Sequence, residues 1–352
     1  MRLLNLCCLV FVVFALASCE VTKPDVIISR EETLVTLTPL PTVTLTPTTT
    51  PTSTPVPTAT PTPFRVTPQK IDSDHIRIPL AENINIELIR ISAGEFTMGS
   101  TQAEVDAVNK QLIDWRFSSE LPQNKVFLKE YWIGKTEVTV GQFMVFAKAA
   151  NYRTQAERDG KAFVWINNGD EVQESLGSNW LHPLGPGSDI TQKIDHPVTY
   201  MTWNDALAFC YWLKSISGLD VKLPSEAEWE KAARGTDARI FPWGNTLPTK
   251  TKANFGDNLK DTTPVGQFGE AGRSPYGLDD MAGNVWEWTS SDLKPYPYVA
   301  TDGRESLFSS MKVRRGGAFT SPWFRMRLVY RPIDSTDMAA NNYGFRVAAT
   351  LP

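Results

Sequence analysis

Residues 276–288 read YGLDDMAGNVWEW, and the interpretation of the globular part of the chain depends on this stretch. Asp279 and Asp280 stand side by side, and Glu287 follows between two tryptophans. Carboxylates are rarely buried unless something pairs with them, and the flanking indoles indicate that Glu287 is at least partly buried. The stretch therefore indicates a cation site, a catalytic acid pair or a solvated loop that happens to be aromatic.

The composition of the whole chain limits the class of protein. Its 352 residues suffice for one large domain or two ordinary ones, and the formal net charge is −4. Because no basic block is present, we expect no nucleic-acid partner. All 11 tryptophans lie within residues 115–323 and supply material for a large core. The 3 histidines are too few for a His-rich zinc or iron centre.

The N-terminus predicts an exported, lipid-anchored protein. Residues 3–16 form an apolar run that is too short to span a bilayer and is typical of a signal peptide. The run ends in LASC at 16–19, which resembles a bacterial lipobox; an ordinary signal peptide with a chance cysteine is the alternative. We predict a signal peptide over 1–18 and lipidation at Cys19. Membrane lipid would then be a partner, and the protein would lie on the extracytoplasmic face of the cell membrane.

A Thr/Pro-rich stretch separates this anchor from the globular body. Residues 33–63 cannot form a core and favour extended polyproline II, which at about 3.1 Å per residue reaches on the order of 90 Å. Threonines beside prolines also permit O-glycosylation. We predict a tether over 19–32, a stalk over 33–63, a lead-in segment over 64–84 and one domain over 85–352.

The body shows few helix signals and many loops, which predicts an α+β domain. Residues 87–100, ELIRISAGEFTMGS, alternate and then turn at a glycine, so they read as strands. Thr139, Thr202 and Ser225 each begin a capping pattern and predict three helix starts. Beyond the third helix, short segments broken by Pro, Gly, Asn and Trp predict long loops. Ions or tryptophan packing must hold them, because the cysteine positions exclude internal disulfides.

Nine motifs in the body occur in a characteristic order. They are GEFTMGS (94–100), YWIGKTEVTVGQF (131–143), HPVTYMTWNDALAFCYWL (196–213), KLPSEAEWEKAARG (222–235), FPWGN (241–245), ANF (253–255), YGLDDMAGNVWEWTS (276–290), RRGGAF (314–319) and NNYGFRVA (341–348). The ordered set resembles the formylglycine-generating enzyme (sulfatase-modifying factor) family over 85–352. The resemblance implies one irregular domain related to the C-type-lectin fold, with few helices, short strands and long loops.

The resemblance also implies two structural calcium sites. The ligands of the first would be the side chains of Asp280 and Glu287 with the carbonyl oxygens of Gly283 and Val285. The ligands of the second, in a loop that is shorter here, would be the side chains of Asn254 and Asp257 with the carbonyl oxygens of Phe255 and Leu259. Oxygen ligands of this kind suit Ca²⁺. A solvated acidic turn is the alternative, and nothing else marks a glycosidase-like acid pair.

The copper chemistry of the family has no ligands in this chain. Active aerobic members oxidise a substrate cysteine to formylglycine with Cu(I) held by two cysteines just after a Gly-Gly-x-Phe motif. Ser321 and Met326 stand at those positions, and Cu(I) requires soft thiolates. We therefore expect no copper, no catalytic residue of the family type and a pseudoenzyme. Cys210, at helical spacing among apolar residues, and His196, beside a proline, are interpreted as structural.

Several arginines crowd the last forty residues. We predict a cationic ligand groove formed by Arg325, Arg327, Arg331 and Arg346; solvated or Asp-paired arginines are the alternative. The function we predict is a surface-anchored lipoprotein whose domain is a binding or accessory module for a peptide or glycan. The alternatives are a divergent formylglycine-generating oxidase acting on a cysteine of a sulfatase-type protein, and a structural envelope protein.

Overall fold

The computed structural model describes residues 65–110, 112 and 115–351. The predicted signal peptide, lipidation at Cys19, tether and stalk lie outside these residues. Among the described residues, no helix combines the length and the apolar character needed to cross a bilayer.

Short elements joined by long loops make up this part of the chain, which confirms the α+β prediction. The strands are β1 (Gln69–Lys70), β2 (His75–Ala81), β3 (Ile84–Ile91), β4 (Gly94–Met98), β5 (Asn124–Leu128), β6 (Tyr131–Gly134), β7 (Lys161–Ile166), β8 (Glu171–Leu176), β9 (Asp220–Lys222), β10 (Trp286–Trp288), β11 (Met311–Arg315), β12 (Ile333–Ser335), β13 (Tyr343–Gly344) and β14 (Ala348–Thr350). The α-helices are α1 (Gln102–Asn109), α2 (Val140–Ala150), α3 (Gln155–Asp159), α4 (Trp203–Ser217) and α5 (Glu226–Arg234). Short 3-10 segments lie at Trp115–Glu120, Asn167–Gly169, Gly269–Ala271 and Trp323–Met326.

Two sheets form the framework of the described domain. The larger sheet has the antiparallel order β1-β2-β3-β6-β14-β9, and the smaller has the order β12-β11-β10-β13. In the smaller sheet β10 pairs with β13 in parallel and with β11 antiparallel. Because β10 carries Glu287 between two partner strands, the sequence YGLDDMAGNVWEW ends in the middle of a sheet. Glu287 is therefore not in a solvated loop.

The helices begin at side-chain caps. At Thr139, Thr202 and Ser225 the hydroxyl accepts a hydrogen bond from the backbone three residues later, and the side chain there bonds back to the cap. The three predicted helix starts are therefore confirmed. Thr101 and Thr154 begin α1 and α3 with the same reciprocal pattern, so the local signal for these two helices was also present in the sequence.

The predicted domain start at residue 85 is too late. Strand β2 pairs with β3 in the larger sheet, and its side chains Ile76, Ile78 and Leu80 point into the core. These alternating apolar positions had been assigned to the lead-in segment 64–84. The folded domain therefore includes that segment from at least β1 onward.

The main core lies against helices α2 and α4 and is rich in aromatic side chains. The ring of Phe143 on α2 contacts Phe146, Trp180 and Phe209, with ring centroids 5.2–6.0 Å apart. Such edge-on and offset contacts add to the apolar area that the rings bury. Aromatic packing thus supplies part of the anchoring that the long loops were expected to need.

Buried ion pairs supply another part of that anchoring. Helix α5 is buried along its whole length although it carries several charged side chains. Glu226 on this helix pairs with Arg304 at 3.0 Å, Arg315 at 3.0 Å and Arg331 at 2.5 Å, and all four side chains are buried. The three arginines come from the loop before β11, from β11 itself and from the loop before β12. One helix therefore holds together most of the irregular C-terminal third.

Candidate ligand cavity and metal positions

The two positions that the resemblance assigns to copper ligands hold unsuitable side chains. The Ser321 hydroxyl oxygen accepts a hydrogen bond from the Ala318 N–H at 3.0 Å, within a buried turn. Met326 is fully buried and packs in an apolar cluster with Phe241. A hydroxyl engaged in a turn and a thioether in the core do not provide the thiolate pair that Cu(I) requires. The residues present do not fit a copper centre.

Cys210 and His196 have structural surroundings. Cys210 on α4 is fully buried in the main core, and burial raises the pKa of its thiol. The Nδ1 atom of His196 lies 2.9 Å from the Thr262 hydroxyl. Burial, and then the charge of Lys193, lowers the pKa of the imidazole. These contacts agree with the structural roles expected from the sequence.

A cavity of about 370 Å³ opens beside Ser321. Its walls include two indoles, Trp165 and Trp286, and the charged side chains of two ion pairs. Arg314 pairs with Asp334 at 3.0 Å, and its guanidinium group lies 5.0 Å from the centre of the Trp286 ring. A volume of this size is within the range of small-ligand sites. The cavity is therefore the candidate ligand site of the described domain.

The hairpin of β7 and β8 builds one side of the cavity mouth. Arg325 Nη1 donates to the Gly169 carbonyl at 2.8 Å, and its Nη2 pairs with Asp170 at 2.7 Å. The Asn168 N–H donates to Asp257 at 2.8 Å. The hairpin tip is thus held on two sides. The sequence reasoning missed this hairpin, although its alternating strands around an Asn-Asn-Gly turn are a recognisable signal.

The prediction of a four-arginine groove is wrong for three of its members. Of these four arginines, only Arg325 lines this cavity, and Arg327 lines a separate cavity of about 250 Å³. Arg327 pairs with Glu120 at 2.6 Å, Arg331 with Glu226, and Arg346 with Glu287, and these side chains are buried. Each arginine is held by a buried carboxylate that sequence spacing alone does not reveal. The alternative, solvated or Asp-paired arginines, is correct for the pairing of these three but not for its kind, because the partners are buried glutamates.

Glu287 is the partner of an arginine in the structure. Its Oε2 lies 2.6 Å from Arg346 Nε and its Oε1 lies 2.7 Å from Arg346 Nη2. The Trp229 indole N–H also donates to Oε2, at 2.8 Å. Both carboxylate oxygens are therefore engaged, and only the second lone pair of Oε1 remains for the calcium that the resemblance implies.

Asp280 and Glu137 form the acidic side of the same buried region. Asp280 accepts a hydrogen bond from the Gly266 N–H at 2.6 Å, and burial raises the pKa of its carboxyl to about 7. Burial, and then the proximity of Asp280, raises the pKa of Glu137 well above its usual range. Glu137 Oε2 is buried without a hydrogen-bond partner, so it fits a cation ligand. The sequence reasoning missed Glu137, the single acid in the segment 131–143.

The second predicted calcium set stays a prediction, and two of its members already have hydrogen-bond partners. Asn254 Oδ1 is buried without a hydrogen-bond partner and therefore fits an oxygen ligand. The carboxylate of Asp257 instead accepts the hydrogen bond from Asn168, and the Phe255 carbonyl accepts one from the Asn258 side chain at 2.6 Å. Leu259 is exposed. Among the described residues, no group of three His, Cys, Asp or Glu side chains is arranged to hold a metal ion.

The irregular fold and the order of its motifs define a member of a known class. The chain belongs to the family of sulfatase-modifying factor enzyme 1-like domains, whose family model matches residues 79–351. It is 32% identical over 300 residues to the formylglycine-generating enzyme of Bos taurus, covering 75% of this chain and 74% of that protein. It is also 32% identical over 303 residues to the protein named inactive C-alpha-formylglycine-generating enzyme 2 of Bos taurus, covering 77% and 91%. Among solved structures, PvdO from Pseudomonas aeruginosa has the same fold, with a TM-score of 0.57, 22% identity and coverage of 80% of this chain and 100% of that one.

Proposed function

We propose that this protein is a surface-anchored lipoprotein whose formylglycine-generating-enzyme-like domain binds a ligand or assists a partner, without the copper oxidation of active relatives. The observation that carries the proposal is the pair Ser321 and Met326 at the positions of the copper cysteines. The first is engaged in a turn and the second is buried in the core. Neither side chain supplies a thiolate, so the oxidising metal has no ligands here.

No other cysteine can replace that pair. Cys210 is fully buried, and its raised pKa keeps it in the unreactive thiol form. The chain contains no cysteine between Cys210 and its end. A relative whose name calls it inactive retains the family domain at 32% identity, which supports the idea that the fold is kept without the oxidation.

The cavity beside Ser321 is where we place the ligand. It combines indole surface with paired charges, and its mouth is formed by a hairpin that is already held in position. A preformed site loses less conformational freedom when it binds a ligand. Ligand binding in the cavity would therefore need no rearrangement of this hairpin.

Calcium is proposed as a structural ion near Asp280. Glu137, Asp280 and Glu287 place three buried carboxyl groups around one cation, Arg346. With all three ionised the group would carry a surplus of two negative charges, which a divalent cation offsets. Asp280 and the unpartnered Glu137 oxygen are the side chains that would hold it, and Glu287 would remain with Arg346.

The anchoring part of the proposal rests on the sequence LASC at 16–19. Lipid on Cys19 and the stalk over 33–63 would present the domain outside the cell, away from the membrane surface. A binding module in such a location is exposed to extracellular ligands. A structural envelope protein, which is the alternative, would show no saturable ligand binding.

The experiment offers the full-length protein, purified in detergent, a cysteine-containing sulfatase-type peptide with copper, oxygen and a thiol reductant. The formylglycine-generating enzyme of Bos taurus serves as the positive control. We expect the peptide mass to stay equal to that of a no-protein control. A mass loss that matches conversion of cysteine to formylglycine would contradict the proposal and favour a divergent oxidase.

A further inference from the structure

We propose that the cavity beside Ser321 binds a saccharide of one or two pyranose rings. This inference rests on the proposed binding function and names the chemical class of the ligand. A pyranose has apolar C–H faces and an edge of hydroxyl groups, each of which can both donate and accept hydrogen bonds. The cavity of about 370 Å³ offers counterparts to both features.

Two of the three arginines that line the cavity, Arg314 and Arg325, are already paired with aspartates, which weakens the attraction of the site for an anionic ligand. Arg314 lies 3.0 Å from Asp334, and Arg325 lies 2.7 Å from Asp170. Asp334 also accepts a hydrogen bond from the Tyr343 hydroxyl. An incoming carboxylate would meet each aspartate together with its arginine, and like charges repel. A neutral hydroxyl can instead add a bond to either member of a pair.

Donors and acceptors are both unused at this site. Arg314 Nε and Asn342 Oδ1 belong to residues that line the cavity, and each is buried without a hydrogen-bond partner. A buried polar group without a partner costs free energy. A carboxylate would satisfy only the donor, whereas hydroxyl groups can serve the donor and the acceptor. Both atoms are shielded from solvent, so a polyhydroxylated ligand would serve them when its hydroxyl groups displace the side chains that cover them.

Trp165 supplies the apolar wall at the mouth. Its side chain is half-buried, and its indole N–H already donates to the Tyr343 hydroxyl at 3.2 Å. What the indole offers a ligand is therefore its ring surface. Its backbone N–H donates to Asn341 at 2.9 Å, which fixes the strand that carries the ring. A sugar face stacked on Trp165 would place hydroxyl groups toward the paired charges.

The test measures binding of three probes to full-length protein in detergent by calorimetry. The probes are cellobiose, N,N′-diacetylchitobiose and a disaccharide that contains glucuronic acid. An acidic peptide is also measured, as a probe for the alternative class of ligand. We compare Trp165→Ala and Asp170→Asn with Trp243→Ala, whose half-buried indole stacks on Phe241 outside the cavity. Thermal unfolding checks each variant, and exposed Asp170 provides a mild change if Trp165→Ala fails to fold.

We expect at least one of the two neutral disaccharides to bind saturably and more tightly than the glucuronic acid disaccharide, and about tenfold weaker binding after Trp165→Ala or Asp170→Asn, the effect of losing one aromatic or charge-assisted contact. Trp243→Ala should leave the affinity unchanged. No binding of a neutral disaccharide up to about 10 mM, binding of the acidic disaccharide or the peptide alone, or equal binding by all variants would overturn the inference. Peptide binding would contradict the saccharide inference but agree with the proposed binding function. Only formylglycine formation would contradict the proposed function.

Discussion

The buried pair of Glu287 and Arg346 gives the sharpest stability prediction. Both side chains are fully buried, and two hydrogen bonds of 2.6 and 2.7 Å join them. We expect Glu287→Gln, which keeps the shape of the side chain, to destabilise the domain because it leaves the Arg346 charge without its direct partner. Glu174→Gln, in an exposed pair with Lys161, is the matched control.

The structure sets the magnitude of this loss. Removing one member of a buried ion pair costs about 3–5 kcal/mol. The lower end applies to Glu287→Gln, since Arg346 keeps the Gly134 carbonyl at 2.9 Å and remains near Glu137 and Asp280. Arg346→Met should cost more, because it leaves three buried carboxyl groups without their cation. A loss of about 3 kcal/mol corresponds to roughly 6–12 °C in Tm for a domain of this size.

The assay is thermal unfolding of the purified protein in calcium and, at matched ionic strength, in chelator. We expect the Tm to be lowest for Arg346→Met, higher for Glu287→Gln and highest for Glu174→Gln. The free energy of unfolding of Glu174→Gln should stay within about 1 kcal/mol of that of the parent. The deficit of Glu287→Gln should persist in chelator, because its partner is Arg346. A deficit seen only in calcium would show that Glu287 binds the cation and would refute this reasoning.

Three further predictions concern calcium, the arginines and the anchor. The pKa of Asp280 is raised to about 7 by burial, so its contribution to stability is present below the unfolded pKa near 4 and is lost as pH rises through 7. Asp280→Asn should therefore be more stable than the parent between about pH 5 and pH 8 in chelator, and it should lose the calcium-dependent rise in Tm. If the stability of the variant and of the parent changed with pH in parallel, this prediction would be contradicted. Arg327→Met should cost about 3–5 kcal/mol in urea unfolding, whereas Arg325→Met at the cavity should cost about 1 or less; equal losses would contradict the different burial of the two arginines. Cys19→Ala should release the protein from membranes or leave it unprocessed in cell fractionation, and parent protein in the soluble cytosolic fraction would contradict the anchor.

Local signals were enough to predict three of the five α-helices in the described residues and the class of fold. Thr139, Thr202 and Ser225 carry caps whose partners lie three residues away, so the whole interaction is visible in a short window. Ordered motifs predicted the family because each motif is also local. The start of the domain was misplaced because the alternation in β2 was assigned to the lead-in segment rather than to the sheet.

Long-range pairing is what the sequence could not reveal. Arg346 meets Glu287 across 59 residues, and Arg327 meets Glu120 across 207. A buried arginine and an exposed one look alike until the carboxylate partner is known. The same reason hid the charged interior of α5, whose sequence EAEWEKAAR would suit a surface helix. Cavity members such as Trp165 and Asp170 lie on a hairpin far in sequence from Ser321, so no motif joined them.

The most direct measurement of the central claim is Cu(I) binding by competition with a chromophoric chelator. The parent protein and Ser321→Cys/Met326→Cys are compared, with Ser321→Cys alone as the control that restores one thiol. We expect no competition by the parent and tight binding of one copper by the double variant, since two thiolates are what Cu(I) requires. Stoichiometric Cu(I) in the parent would contradict the claim that this domain has lost the family's oxidising centre.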